Sequence, residues 1–184
     1  MDKNQSPKIY GVLGYPASHS LSPKMHNAAF RALGINAEYR LFEVKPQELE
    51  NFLLRPIPVK DIDNWLVSKA DIFGFNITIP HKVRAKEILE KKFPIDDTEA
   101  LLLEDQYYVK LSGAVNTVKK GIDKLYYYNT DASGFLRSLE KGLKFNTKGK
   151  NVLIIGCGGA GRALIASLSW KESGIKKVYI NDMR

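Results

Sequence analysis

The chain has 184 residues, 44% hydrophobic and 26% charged, which suits one folded domain or two small ones and excludes a fibrous or disordered chain. No apolar run approaches the roughly 20 residues of a membrane helix, and the opening residues lack the apolar segment and small-residue cleavage site of a secretory leader. The single cysteine, Cys157, excludes an internal disulfide or a multi-cysteine metal site, so a cytoplasmic protein with no membrane partner is expected.

Lys and Arg number 28 against 20 Asp and Glu, a net charge of +8. Residues 141 to 184 hold nine basic and two acidic side chains, so almost the whole excess lies there. These charges are spread along a strand–helix–strand pattern rather than gathered with aromatics on one element. A nucleic-acid stripe is therefore not expected, and a phosphate-bearing small molecule is.

In chain order, Ile9 to Leu13 predicts a first strand, closed by the turn Gly14-Tyr15-Pro16. Ser22 and Pro23 open a helix, serine as its cap, with Met25, Ala28, Ala29, Ala32 and Leu33 as the apolar stripe and Gly34 as the stop. Glu38 to Val44 alternates as a second strand, with Tyr39, Leu41 and Phe42 towards the core. Pro46 to Leu54 reads as helical. Beyond Pro56 and Pro58, the spacing of Ile62, Trp65, Leu66 and Ala70 predicts a further helix.

Phe73 to Ile79 reads as a strand that Pro80 ends, and Val83 to Lys91 as a helix. Residues 94 to 109 give no clear pattern. Ala114 to Val118 and Leu125 to Tyr128 predict a hairpin, and Asp131 is placed to cap a helix carrying Phe135, Leu136, Leu139 and Leu143. Val152 to Ile155, Arg162 to Trp170 and Val178 to Ile180 then read as strand, helix and strand. The class is α/β: a mostly parallel sheet with helices, followed by the first part of a Rossmann-type dinucleotide-binding fold.

The strongest motif is Gly156-Cys157-Gly158-Gly159-Ala160-Gly161, which follows a strand and opens a helix. Gly156 suits the tight turn, Gly158 the close approach of a pyrophosphate, and Gly161 the packing of helix on strand. The free N–H groups of the helix start then attract the diphosphate. The end of the next strand is where the adenosine ribose of a dinucleotide is expected, and Asn181, Asp182 and Arg184 stand there, Arg184 either to serve a phosphate or as an ordinary surface arginine. A carboxylate there favours NAD, and an arginine favours the added phosphate of NADP. Cys157 reads as a buried structural thiol.

Three polar groups lie upstream. Ser20 and Ser22, two apart before a helix, suit an anion such as a carboxylate, although Ser22 alone also serves as a simple cap. His19 and His26 have no acidic residue or cysteine between them to complete a metal set, so no metal is expected. In Asn76-Ile77-Thr78-Ile79-Pro80-His81-Lys82, Asn76 and Thr78 share one strand face, Ile77 and Ile79 the other. Lys82 can donate to a carbonyl oxygen or remain a solvated charge. The third group joins Asn116 and Thr117 with Asn129-Thr130-Asp131, where Asp131 can cap its helix and also pair with Lys82.

Taken together, the segments Gly14-Tyr15-Pro16 with His19 to Pro23, Asn76 to Lys82, Gly113 to Thr117, Asn129 to Gly134 and Gly156 to Ala163 resemble the shikimate dehydrogenase family. The resemblance implies reduction of 3-dehydroshikimate to shikimate with NADP or NAD. It implies that Ser20 and Ser22 hold the substrate carboxylate, that Thr78, Asn116, Thr130 and Asp131 line the polyol face, and that Lys82 and Asp131 form the catalytic couple. Gly156, Gly158, Gly159, Ala160, Gly161, Asn181, Asp182 and Arg184 are the implied cofactor contacts. Residues 1–129 are then the substrate-binding domain, and residues 130–184 a linker helix and part of the cofactor domain.

Family members usually carry arginine and threonine where Asp182 and Met183 stand here. That departure brings in an NAD-using quinate/shikimate dehydrogenase as an alternative. The short cofactor segment brings in a second, a binding fragment without activity. The implied partner is the small-molecule substrate, in a monomer or a homodimer.

Overall fold

A computed structural model describes residues 6–95, 104–169 and 173–183. Contacts divide the chain into two units, Met1–His81 with Thr117–Tyr126, and Lys82–Asn116 with Tyr127–Arg184.

The first unit begins with β1 (Lys8–Gly14), α1 (Ser22–Ala32) and β2 (Ala37–Glu43). After α2 (Leu49–Leu54) come two short strands, β3 (Val59–Lys60) and β4 (Leu66–Val67), and then β5 (Ile72–Ile77). The hairpin strands β6 (Thr117–Lys120) and β7 (Leu125–Tyr128) complete a sheet of order β2-β1-β5-β6-β7. β1 is parallel to β2, with Val12 opposite Leu41, and parallel to β5, with Leu13 opposite Ile77. β6 runs antiparallel to β5, with Asn76 opposite Thr117, so the sheet is mostly parallel as expected. Phe42, Phe52 and Phe75 fill one side of it. Phe52 lies 5.6 Å from Phe42 and edge-on to Phe75 at 5.5 Å, the tilted geometries aromatic pairs prefer.

Two expectations fail here. α1 forms, but none of its residues is buried: Met25 is 61% exposed and Leu33 70%. The side that packs carries His26, Asn27 and Phe30 instead. His26 stacks on Tyr39 at 4.2 Å, and the Asn27 amide donates to the Tyr39 carbonyl at 2.9 Å while accepting its N–H at 2.8 Å. A polar side chain thereby satisfies the outer edge of β2, a role that hydrophobic periodicity does not register.

The helix expected around Ile62 to Ala70 is absent. Asp61 explains this: one carboxylate oxygen accepts the N–H groups of Asp63 at 3.0 Å and Trp65 at 2.9 Å, and Asn64 takes a positive φ of 64°. Such an Asx-type turn outcompetes helix, and β3 and β4 pair across it.

The second unit contains α3 (Lys82–Lys92), α4 (Glu104–Ser112) and α5 (Thr130–Arg137), the last continuing as a π-helical turn over Ser138–Gly142. It ends in β8 (Asn151–Ile155), α6 (Gly159–Leu168) and β9 (Lys177–Asn181). β8 and β9 are parallel, with Ile154 opposite Ile180, and α6 crosses between them. This is the expected first portion of a dinucleotide fold. Of the stretch 94–109, residues 96–103 lie outside the described set, 94 and 95 belong to no regular element, and 104–109 enter α4. Tyr108 of α4 packs with Ala132 of α5 and with Ala163 and Ala166 of α6. Three small residues around one ring let the helices approach closely.

His81 is 1% exposed, and its Nε2 lies 2.7 Å from the Val44 carbonyl. Burial lowers its pKa from the ordinary 6.5, against a smaller rise from that hydrogen bond. The unfolded chain therefore binds a proton below about pH 6.5 that the folded chain resists, and stability falls as pH drops through that range. Urea titrations of the chain between pH 7.5 and 5 should show this loss. His81→Gln, which can donate to Val44 without titrating, should flatten it; an unchanged slope would remove His81 as its source.

Candidate active site

In the first unit, the candidate residues stand at the carboxyl ends of β1 and β5, where α/β sheets bind ligands. The loop after β1 is pinned by Glu43, whose Oε1 accepts the N–H groups of Ala17 and Ser18 at 2.8 Å each. Ser22 is not the cap of α1. It is the first helical residue; Leu21 holds the cap position, and the Ser20 hydroxyl oxygen accepts the Ser22 N–H at 3.3 Å. Both serines are half-buried. With the first N–H served by Ser20, the Ser22 hydroxyl is released from capping.

On β5, Asn76 is fully engaged in structure. Its Oδ1 accepts the Tyr39 hydroxyl at 2.6 Å and its Nδ2 donates to Thr117 Oγ1 at 3.0 Å. Burial drives the Tyr39 phenol well above its usual pKa, so it donates throughout the physiological range. Thr78, half-buried, follows the strand, its N–H donated to the Leu13 carbonyl at 2.9 Å. β5 stops at Ile77, which is 1% exposed, whereas Ile79 is 74% exposed and does not share its buried face as expected.

The second unit brings Lys82, Asn116, Thr130 and Asp131 together. Lys82 opens α3, and its Nζ meets Asp131 Oδ2 at 2.5 Å; the two side chains are 14% and 29% exposed. The other carboxylate oxygen accepts from Asn116 Nδ2 at 2.7 Å. That amide nitrogen also donates to Thr130 Oγ1 at 2.8 Å, while Asn116 Oδ1 accepts the Thr130 N–H at 2.9 Å. The carboxylate thus has a cation on one oxygen and an amide on the other, which fixes its orientation and that of the ammonium.

Asp131 is free for this role because it does not cap α5. Asn129 does: its Oδ1 accepts the N–H groups of Asp131 at 3.2 Å and Ala132 at 3.4 Å. The Asn129 amide nitrogen donates to Ser112 Oγ at 2.9 Å and to the Ala114 carbonyl at 3.0 Å, and the whole residue is buried. Sequence reasoning missed Asn129 as a site-building residue; the Asn-Thr-Asp run held the signal, since asparagine ranks among the strongest caps.

The glycine loop joins β8 to α6. Gly156 has φ +94°, a conformation glycine adopts without penalty, and donates its N–H to the Asn181 carbonyl at 2.8 Å. A side chain at Gly161 would strike the Gly156 carbonyl, so the third glycine permits the close packing expected of it. Gly158 and Ala160 are exposed, and Gly159 is half-buried. A ten-residue helix starts at Gly159 with its first N–H groups turned to the loop, a setting that fits a dinucleotide diphosphate. Asp182 Oδ2 accepts the Cys157 N–H at 2.5 Å, which ties the end of β9 to the loop. Cys157 is half-buried rather than buried. Arg184 lies outside the described residues.

A family profile described as the shikimate dehydrogenase substrate binding domain matches residues 12–118. The chain belongs to the shikimate dehydrogenase family. A shikimate dehydrogenase (NADP(+)) of Geobacter metallireducens is 40% identical over 171 residues, covering 92% of this chain and 51% of the relative. One from Thermococcus kodakarensis is 41% identical over 162 residues, covering 88% and 50%. Among solved structures, the Thermus thermophilus shikimate 5-dehydrogenase in complex with NADP(H) and shikimate aligns with a TM-score of 0.70 at 30% identity, covering 95% of this chain and 56% of that one. A Listeria monocytogenes homologue in complex with shikimate and NAD aligns at 0.68 and 29%, covering 96% and 52%. The chain spans about half the length of the curated relatives it matches.

Replacing Asn129 by alanine removes a helix cap and leaves buried partners unsatisfied, a combined loss of about 2–4 kcal/mol. Chemical unfolding should read that loss. A change below about 0.5 kcal/mol, the size of an ordinary surface substitution, would show that other groups take over the cap.

Proposed function

We propose that the protein carrying this chain reversibly reduces 3-dehydroshikimate to shikimate, with residues 1–129 contributing the substrate side and residues 130–184 the start of the cofactor side. The observation that carries this reading is the Lys82–Asp131 pair, held in the unit that also contains the dinucleotide-type glycine loop. The glycine loop from Gly156 to Gly161 would hold a nicotinamide dinucleotide, which would supply the hydride for the ring carbonyl carbon. Lys82 Nζ donates a hydrogen bond to the carbonyl oxygen and passes it a proton as negative charge develops there, while Asp131 fixes the direction of that donation. In oxidation, Lys82 accepts the proton back from the hydroxyl. Ser20 and Ser22 donate to the substrate carboxylate, which keeps its charge throughout, and Thr78, Asn116 and Thr130 contact the ring hydroxyls.

These roles separate kinetically. In an enzyme of full family length carrying this chain, Lys82→Ala should lower kcat by about 10²–10³ with a smaller change in KM, because its donation strengthens in the transition state. Ser20→Ala and Ser22→Ala should act mainly on the shikimate KM, since their contact is equal in ground and transition states. A Lys82→Ala loss below tenfold would reduce the lysine to a binding group. Absence of turnover by the folded unmodified enzyme, with either cofactor, would remove the dehydrogenase reading and leave a binding module.

Asp182 favours a second point, that NAD serves at least as well as NADP. Its carboxylate sits at the end of the strand that meets the adenosine ribose in this fold, and a 2′-phosphate brings like charge against it. The surplus lysines and arginines of 141–184 favour the more anionic cofactor, but salt screens them over roughly 8 Å whereas a contact group is not screened. Asp182→Asn should therefore shift the ratio of kcat/KM values towards NADP by about tenfold. A strong NADP preference left unmoved by the substitution would mean that Asp182 does not read the ribose.

A further inference from the structure

Two adjacent glycines in the loop have opposite surroundings. A Cβ added at Gly158 meets nothing within 4 Å, whereas one added at Gly159 lies 2.7 Å from Lys82 Cβ, 2.9 Å from its Cδ and 3.2 Å from its Cγ. The lysine stem thus runs directly against the first residue of α6. Neither end of that stem can give way cheaply. The Lys82 carbonyl accepts the Val115 N–H at 2.9 Å, and the ammonium is held by Asp131 at 2.5 Å. α6 is itself fixed, since Ala163 and Ala166 pack with Tyr108 and Ala132. A methyl group at 159 can then be relieved only by turning the lysine out of its path, because close-packed interiors do not stretch continuously.

We propose that Gly159 is a positioning residue for Lys82: the absence of a side chain at the start of α6 lets the lysine stem pass, so that its ammonium reaches Asp131. This rests on the catalytic reading of Lys82 for its effect on turnover, but not for its effect on the lysine itself. Gly159 and Gly158 then do different work within one motif. Gly158 leaves room for a cofactor diphosphate, and Gly159 leaves room for the protein's own lysine.

The test uses two readouts. In this chain, acetylation of individual lysines by an N-hydroxysuccinimide ester, followed by mass spectrometry, reports how well the Lys82 amine is held. Gly159→Ala should speed Lys82 labelling severalfold, while Gly158→Ala leaves it unchanged. Equal labelling in the parent and Gly159→Ala chains would overturn the proposal whether or not the enzyme turns over. In the enzyme of full family length, Gly159→Ala should lower kcat by about tenfold or more with the shikimate KM little changed, because misplacing a reacting group by an ångström is that costly. Gly158→Ala should raise the cofactor KM instead. Faster labelling without any turnover in the parent enzyme would fail the dehydrogenase reading and uphold the placement of Lys82. If Gly159→Ala melts far below the parent, adding Lys82→Gly should restore the melting temperature; no restoration would contradict a clash with the lysine stem.

Discussion

The candidate site depends on one buried side chain, the Asn129 amide. Its oxygen closes the start of α5 and its nitrogen holds Ser112 and the Ala114 carbonyl, while its own N–H is donated to the Asp105 carbonyl at 2.9 Å. Both polar atoms of the buried side-chain amide, and the backbone N–H beside it, are thereby used, the condition under which burial of an amide is not a penalty. The consequence reaches the chemistry. With capping assigned to Asn129, both oxygens of Asp131 face Lys82 and Asn116, and the Ala114 segment that Asn129 holds leads directly into Val115, which anchors the Lys82 backbone, and Asn116. One asparagine therefore sets the placement of the acid, the amide and the lysine.

The energetic division follows from burial. An exposed ion pair contributes about 0–1 kcal/mol, whereas Lys82 and Asp131, at 14% and 29% exposed, are screened less and hold a shorter contact. Apolar packing in the second unit lies elsewhere, in buried side chains such as Ile88, Leu89 and Val109 and in the Tyr108 ring among Ala132, Ala163 and Ala166. Packing fixes the helices, and the polar groups are left to fix direction. That separation suits a site whose lysine must change its hydrogen bonding during proton transfer while its backbone stays in place.

The glycine loop, the strand before it and the helix after it were legible in sequence because three glycines at fixed spacing leave few conformations open; the positive φ of Gly156 and the tight fit of Gly161 follow directly. Of the parallel strands, β1 and β5 were legible as short apolar runs closed by Gly or Pro, and β2 by its alternation. What sequence pattern misplaced were positions where one polar side chain decides the backbone. Asp61 turned an expected helix into a paired turn, Asn27 covered a strand edge that made the apolar stripe of α1 irrelevant, Leu21 rather than Ser22 stands at the cap of α1, and Asn129 took the capping role assigned to Asp131. Hydrophobic periodicity carries no information on these choices, because each depends on which of two nearby polar groups reaches an N–H first. The contact between Gly159 and Lys82 was invisible for a different reason: it joins residues 77 positions apart and leaves its mark only as a missing atom.

The central claim is that Lys82 and Asp131 form one coupled unit within the protein before any substrate arrives. A double-mutant cycle on the unfolding free energy of this chain, with Lys82→Met, Asp131→Asn and the pair, measures that coupling most directly. The account predicts an interaction of about 0.5–2 kcal/mol that weakens only partly in high salt, as a screened but shielded pair should. Additive single effects, with no interaction at low salt, would contradict it.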